Sequence, residues 1–205
     1  MPLGDALPLG GNELVALVVA TSFAAGLNVY ATVATLGLLA RADAVVLPPM
    51  LDPLTSWWVI GVCAVMFTLE FFADKVPAFD LLWNALHTFV RVPVGALLAY
   101  GATAELSPGW QLAATTLGAT LAFAAHSGKT AMRAAVTPSP EPLSNTFLSL
   151  AEDAVAIFLV WFATEHPFIA AAIVVVFLVL LILVARMVFR ALRALYRGAF
   201  RPREA

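Results

Sequence analysis

The sequence predicts an all-α integral membrane protein of six transmembrane helices, a pattern compatible with two inverted three-helix repeats whose first and fourth helices are broken. Three observations predict it. The 205 residues are 62% hydrophobic and 12% charged, whereas a soluble domain of ordinary composition carries about 25% charge; the mean hydropathy is +0.94. The apolar residues fall in continuous runs rather than in the alternating pattern of barrel strands. The runs are separated by Pro, Gly and acidic breaks, namely LPPMLDPLTS, the stretch from Asp74 to Asp80 around Pro77, ELSPG, TPSPEPLSN and TEHP. Residues 1–205 read as one polytopic domain, with repeats at 13–102 and 110–190 and a basic tail at 191–205.

The first expected span, 13–40, follows a leader, MPLGDALPLGGNE, that has no basic n-region or small-residue cleavage site, so the span is expected to stay as an anchor. It is longer than the ~20 residues a straight helix needs, which tilt accommodates. Its small residues, Ala24, Ala25, Gly26 and Ala31, permit close helix packing. The sharper reading is a break at Gly26-Leu27-Asn28, with half-helix ends directed at a ligand. Ala25, Asn28, Thr32 and Thr35 share one face, with Tyr30 beside it.

The second span, 57–75, carries Glu70 and Asp74 one helical turn apart, followed by Lys75. The single cysteine, Cys63, lies mid-span, which leaves no disulfide framework and no cysteine metal site. The third span, 80–102, has Asp80 as its expected N-cap and carries Asn84, His87, Thr88 and Arg91 at i, i+3, i+4 and i+7. The fourth, 110–135, repeats that spacing with His126, Lys129, Thr130 and Arg133, and Ser127-Gly128 is its candidate break. The fifth, 145–164, has Asn145 as its expected N-cap and a stripe of Asn145, Ser149, Glu152, Asp153 and Ala156.

The sixth span, 167–190, runs into ARMVFRALRALYRGAFRPRE, which holds six arginines, whereas residues 1–40 hold no Lys or Arg. Lys and Arg mark cytoplasmic flanks, so the C-terminus is expected in the cytoplasm, where anionic lipid would meet the tail. Counting back through six spans puts the N-terminus, Lys75, Lys129 and Arg133 inside and Arg41 outside. The repeat rests on ATSFAAGLNVYAT against ATLAFAAHSGKTA, DPLTS against EPLSN, and LEFFAD against LSLAED. Its registers disagree, because Asp74 lies further beyond Ser56 than Asp153 lies beyond Asn145.

A carboxylate at the centre of a membrane helix costs about 2.5–3.5 kcal/mol on insertion scales, so it is seldom kept without a partner or a pathway. The expected site therefore consists of Glu152, Asp153, Glu70, Asp74, His126, Lys129, His87, Arg91 and Asn28. The carboxylates would exchange a proton or cation, Lys129 or Arg91 would supply counter-charge, and His87 or His126 would relay protons. Asp74, Lys75, Arg91, Lys129 and Arg133 lie near expected span ends, where long side chains also reach headgroups. Glu152 and Asp153 lie two turns inside their span and carry the main expectation.

Other chemistries find no support. GKT at 128–130 copies the end of a phosphate-binding loop, but Phe123 occupies the place of its first Gly and no strand precedes it. HExxH, GxSxG and zinc spacings are missing, and no ExxH pair is present, so metal binding is left open on donor type alone.

The phrases SFAAGLNVYATVATLGLLAR, EFFADKVPAFDLLWNALHTFVRVPVGALLA and AAHSGKTAMRAAVTPSPEPLSNTFLSLAEDAVA resemble a bacterial family of multi-pass membrane proteins labelled domain of unknown function 4126. The resemblance covers residues 13–190; it implies a bacterial inner membrane and supplies no substrate. Glu70, Asp74 and Lys75 are similar to an acidic-Asp-Lys signature of cation exchangers, with one residue more than Glu-x-Gly-Asp-Lys.

The function expected is a small transporter or channel for an ion or small solute. An intramembrane enzyme acting on lipid and a non-catalytic assembly partner are the alternatives. The expected partners are the bilayer and the transported species, not nucleic acid; a homo-oligomer is compatible, and no cofactor is expected.

Overall fold

The computed structural model describes residues 10–74, 77–136 and 142–199. These are all-α: α1 (Gly11–Leu27), α2 (Val29–Arg41), a 3-10 helix (Pro49–Thr55), α3 (Trp57–Ala73), α4 (Pro77–Ala102), α5 (Pro108–Val136), α6 (Pro142–Glu165) and α7 (Pro167–Ala199). Each of α4 to α7 opens on proline, whose fixed φ and missing N–H suit the first helical position. α2 stops where Asp43 takes a left-handed conformation (φ 55°) and the Ala44 N–H reaches back to the Leu39 carbonyl.

The first expected span is a helical hairpin. α1 and α2 are separated only by Asn28, whose backbone is extended (φ −148°, ψ 104°). α1 runs parallel to α5: Ser22 lies against Gly118, Gly26 against Ala122 and Ala125, and the Leu27 carbonyl against Lys129. It runs antiparallel to α4, since Ser22 Oγ donates to the Gly95 carbonyl at 3.2 Å while Tyr30, just past the break, meets His87. α2 then turns back. Gly37 packs on Leu54, Arg41 donates to the Thr55 carbonyl, and the same 3-10 helix places Leu51 against Gly101 near the end of α4.

Gly11 and Arg41 therefore lie at one end of the bundle, with the start of α5 and the end of α4. Asn28 is the hairpin tip, half-way down. α1 is lined by neighbours on nearly every side, with ten buried residues from Ala16 to Gly26. Short helices that end at membrane depth are tolerated only in such protein surroundings.

Gly26, Gly95 and Gly118 make this packing. A Cβ on Gly118 would stand 2.6 Å from both the Ala99 Cβ and the Gly95 carbonyl, so α1, α4 and α5 approach more closely than side chains permit. Around this centre lies a core of Val18, Phe23, Leu98, Leu121, Leu159 and Val174.

Four expectations change. The span 13–40 is a hairpin of two short helices with both ends on one side of the bundle, not one continuous helix. The first and fourth segments run parallel, whereas inverted halves require opposite directions. The fourth helix is continuous through Ser127 and Gly128; Gly128 lies against the Leu181 side chain and serves packing. Asp80 and Asn145 lie within α4 and α6, each three residues past the opening proline, not at their caps. The expected role of Lys75 lies outside the described residues.

Three helices are long and apolar enough to cross a membrane, Leu82–Ala102, Thr146–Glu165 and Pro167–Met187. The bent pair Pro49–Thr55 and Trp57–Ala73, at 62°, makes a fourth if taken as one span. The surface agrees with that reading: Val62, Val65, Leu69, Phe89, Val176 and Leu183 all point outward. Trp57, Trp58 and Trp110 are exposed at the end that holds Gly11, as in an interfacial aromatic belt.

Candidate functional site: a buried charge network at the hairpin tip

The polar faces read from α3, α4, α5 and α6 converge below Asn28. The break in the first helix creates the site chemically as well as sterically. At the end of α1 the Leu27 carbonyl has lost its helical partner, and Lys129 Nζ donates to it at 3.2 Å. A cation there also complements the negative end of the helix dipole. At the start of α2 the Asn28 Oδ1 accepts from the Ala31 N–H at 2.9 Å, the usual service of an N-cap side chain. The remaining amide of Asn28 donates to Asp153 Oδ1 at 2.8 Å. One residue thus caps a helix and holds a carboxylate.

Three cations and three carboxylates interlock beneath that tip. Arg91 Nη2 pairs with Glu70 Oε1. Lys129 Nζ lies 3.4 Å from Glu70 Oε1, 3.4 Å from Asp74 Oδ2 and 3.3 Å from Glu152 Oε2. Arg133 Nη2 contacts Asp74 Oδ2 at 2.8 Å and Glu152 Oε2 at 2.7 Å. Ser149 Oγ adds a donor to Asp74 Oδ2 at 3.0 Å. The side chains of Arg91, Lys129, Arg133 and Glu70 are 0% exposed. At such burial a pair holds only through good geometry and further hydrogen bonds.

The histidines sit on the other flank. Arg91 Nη1 donates to Asn84 Oδ1 at 3.0 Å and to His126 Nδ1 at 2.9 Å. A guanidinium only donates, so Nδ1 is the acceptor and the His126 proton is on Nε2, directed to Thr88 Oγ1 at 2.7 Å. His87 Nδ1 donates to the Trp83 carbonyl at 2.8 Å, which leaves Nε2 to accept from the Tyr30 hydroxyl at 3.0 Å.

Asp153 stands apart from the interlocked six. It is buried, it forms no ion pair among the described residues, and its Oδ2 has no hydrogen-bond partner there. Counting the described members gives four carboxylates, Glu70, Asp74, Glu152 and Asp153, against three cations, Arg91, Lys129 and Arg133. Within that described set the carboxylates outnumber the cations by one.

Two cavities flank the network. One, of about 350 Å³, opens between α1, α5, α6 and α7 and is walled by Phe23, Leu148, Phe177 and Leu181, with Lys129 and Glu152 at its inner end. The other, of about 480 Å³, lies between α2, the 3-10 helix, α3 and α4, with Tyr30 and Cys63 in its wall. Among the described residues no group of three or more His, Cys, Asp or Glu is placed to hold a metal ion.

All nine residues singled out from the sequence, Glu152, Asp153, Glu70, Asp74, His126, Lys129, His87, Arg91 and Asn28, lie in this one region. Sequence reasoning gave Arg133 to the headgroups; it is instead fully buried and joins Asp74 to Glu152. The available signal was its place one turn beyond Lys129 on the face of His126. Asp74 is the C-cap that ends α3, as its place near a span end implied, and its carboxylate lies inside the network. Tyr30, Asn84 and Ser149 were noted on polar faces without a role, and each supplies a hydrogen bond here.

A family model described as Domain of unknown function (DUF4126) matches residues 15–187. No curated protein and no solved structure matches the chain.

Proposed function

The chain belongs to the family described as Domain of unknown function (DUF4126), and from that premise we propose that it conducts a proton or small cation across a membrane through the network at the hairpin tip. Asp153 is the exchanging carboxylate in this reading. The observation that carries it is the fourth carboxylate: a buried Asp held by one amide, beside three cations and three carboxylates that pair with one another, has an oxygen without a hydrogen-bond partner among the described residues. Re-entrant helix tips whose broken ends face ions are a recurrent device of transporters.

The two cavities give the reading its direction. One touches Glu152 and Lys129 and the other touches Tyr30, so the network is the barrier between them. Lys129 lies within reach of three carboxylates and can follow whichever is charged. We read the chain as five crossings, α3 to α7, with α1 and α2 as a re-entrant hairpin. The basic end of α7 lies on the cytoplasmic face of a bacterial inner membrane in this account.

Purified protein in liposomes tests the proposal through proton and alkali-cation fluxes under an imposed potential. Wild-type flux above empty liposomes, lost in Asp153→Asn and reduced in Glu152→Gln with both variants folded, is expected. Equal flux in Asp153→Asn and wild type would sink it.

A further inference from the structure

We propose that the ion moved by this network is the proton, and that Lys129 excludes sodium and potassium by occupying the place where such an ion would rest. This rests on the conduction reading and names its ion.

Two arrangements lead there. The first surrounds Lys129. Its Nζ lies 3.2 Å from the Leu27 carbonyl, 3.4 Å from Glu70 Oε1, 3.4 Å from Asp74 Oδ2 and 3.3 Å from Glu152 Oε2. The Leu27 carbonyl is the freed group at the end of α1, and carbonyls of broken helices are recurrent ligands of sodium ions and protons in transporters. None of the four oxygens stands at the usual length of a charge-assisted hydrogen bond, about 2.7–2.9 Å. Arg133, by contrast, meets Asp74 Oδ2 at 2.8 Å and Glu152 Oε2 at 2.7 Å. The guanidinium is bonded to particular atoms. The ammonium, with three N–H groups for four acceptors, is held as a point charge in a cage of oxygens. That cage is too open for magnesium or calcium, whose ligands stand at about 2.0–2.6 Å. Its spacing suits a large monovalent cation, and the side chain of Lys129, 0% exposed, supplies one on a tether.

The second arrangement surrounds Asp153. An alkali ion leaves water where oxygens replace its hydration shell. Asn28 turns its nitrogen to Asp153 Oδ1 at 2.8 Å, because its oxygen accepts from the Ala31 N–H at 2.9 Å and a backbone N–H only donates. The amide thus offers a metal cation no ligand at that carboxylate. A proton needs none. It bonds to Oδ2, which has no hydrogen-bond partner among the described residues, while Oδ1 keeps the bond from Asn28 as the carbonyl oxygen of the acid. Release takes the proton from Oδ2 and leaves the carboxylate on the same amide.

The test has two parts, both on full-length protein. In liposomes under an imposed potential, wild type should pass protons above the rate of empty liposomes, and sodium and potassium at that background rate. In detergent, Lys129→Ala, purified in potassium chloride, should gain a cation site. Its thermal unfolding midpoint should rise by about 3–6 °C for each tenfold increase in potassium or ammonium chloride, exchanged against choline chloride at constant ionic strength. The wild-type midpoint should stay level across the same series. In Lys129→Ala/Glu152→Gln, which removes one charged ligand, the potassium needed for the same rise should be about tenfold higher.

Sodium or potassium flux in wild type well above empty liposomes would overturn the inference and leave the conduction reading standing. No flux of any ion above that background would refute the conduction reading, and the ion assignment with it. A level midpoint in Lys129→Ala would also overturn the inference, because the cage would then hold no ion once the ammonium is gone. So would a potassium response unchanged by Glu152→Gln, which would place the ion elsewhere. If Lys129→Ala folds at no potassium concentration, the wild-type flux ratio decides alone.

Discussion

The side-chain amide of Asn28 meets the carboxylate of Asp153 at 2.8 Å, across 125 residues of sequence. The contact ties the tip of the α1–α2 hairpin to α6 at the one buried acid that has no ion pair among the described residues. Whatever moves Asp153 must move the hairpin tip or break this bond. On the proposed function, exchange at this carboxylate would act directly on the hairpin tip through this bond.

Asn28 does two jobs, and substitution separates them. Asn28→Asp keeps an N-cap acceptor for the Ala31 N–H but removes the donor to Asp153 and sets two carboxylates face to face. Asn28→Ala removes both functions. Loss of an N-cap costs about 1 kcal/mol, so Asn28→Ala should lower thermal stability in detergent modestly. Asn28→Asp should be the worse of the two at high pH and recover on acidification, when one of the facing acids takes a proton.

Glu70 and Arg91 are fully buried partners. Removing one charge leaves the other stranded, at a cost of about 3–5 kcal/mol. Glu70→Gln and Arg91→Gln should each be strongly destabilising, and the double variant should be more stable than either. A double-mutant cycle by denaturation in detergent measures the coupling; additive single effects would contradict the pairing.

Close approach at the glycines makes a graded prediction. Gly118→Ala must push apart α4 and α5, and Gly26→Ala must push α1 from α5; each should cost about 1–3 kcal/mol, the usual range for overpacking. Gly61→Ala and Gly109→Ala meet nothing within 4 Å and should be close to neutral. Unfolding midpoints across the four variants check the order.

The hairpin makes a prediction about sidedness. In a Cys63→Ser background, single cysteines at Gly11, Ala42 and Glu105 should react with an impermeant thiol reagent from one face of the membrane, and a cysteine at Arg193 only from the other. Residues 11 and 42 labelled from opposite faces would restore a crossing first helix.

The sites were legible in the sequence and the path of the first helix was not, for a physical reason. Glu152 and Asp153 stand two turns into an apolar run, and the i, i+3, i+7 spacing of His126, Lys129 and Arg133 puts them on one face whatever the fold. Hydropathy, however, is blind to direction. An apolar run of the length of 13–40 is as consistent with one tilted helix as with two short ones folded back. The turn rests on a single residue, Asn28, whose extended backbone is repaid by a cap and a carboxylate supplied from distant sequence. Arg133 was misplaced because apparent span ends set its expected depth. α5 ends at Val136, within a residue of the expected bound, but Asp74 and Glu152 are brought up to Arg133 there and pair with it.

The central claim is that Asp153 is the carboxylate that changes state. Infrared difference spectra of the protein in lipid, recorded between alkaline and acidic buffer, observe the carbonyl stretch of newly protonated carboxyl groups directly. Against the absorption of the exposed acids, a discrete component present in wild type and in Glu152→Gln, and missing in Asp153→Asn, is the predicted result. The same band at the same strength in Asp153→Asn would contradict the account.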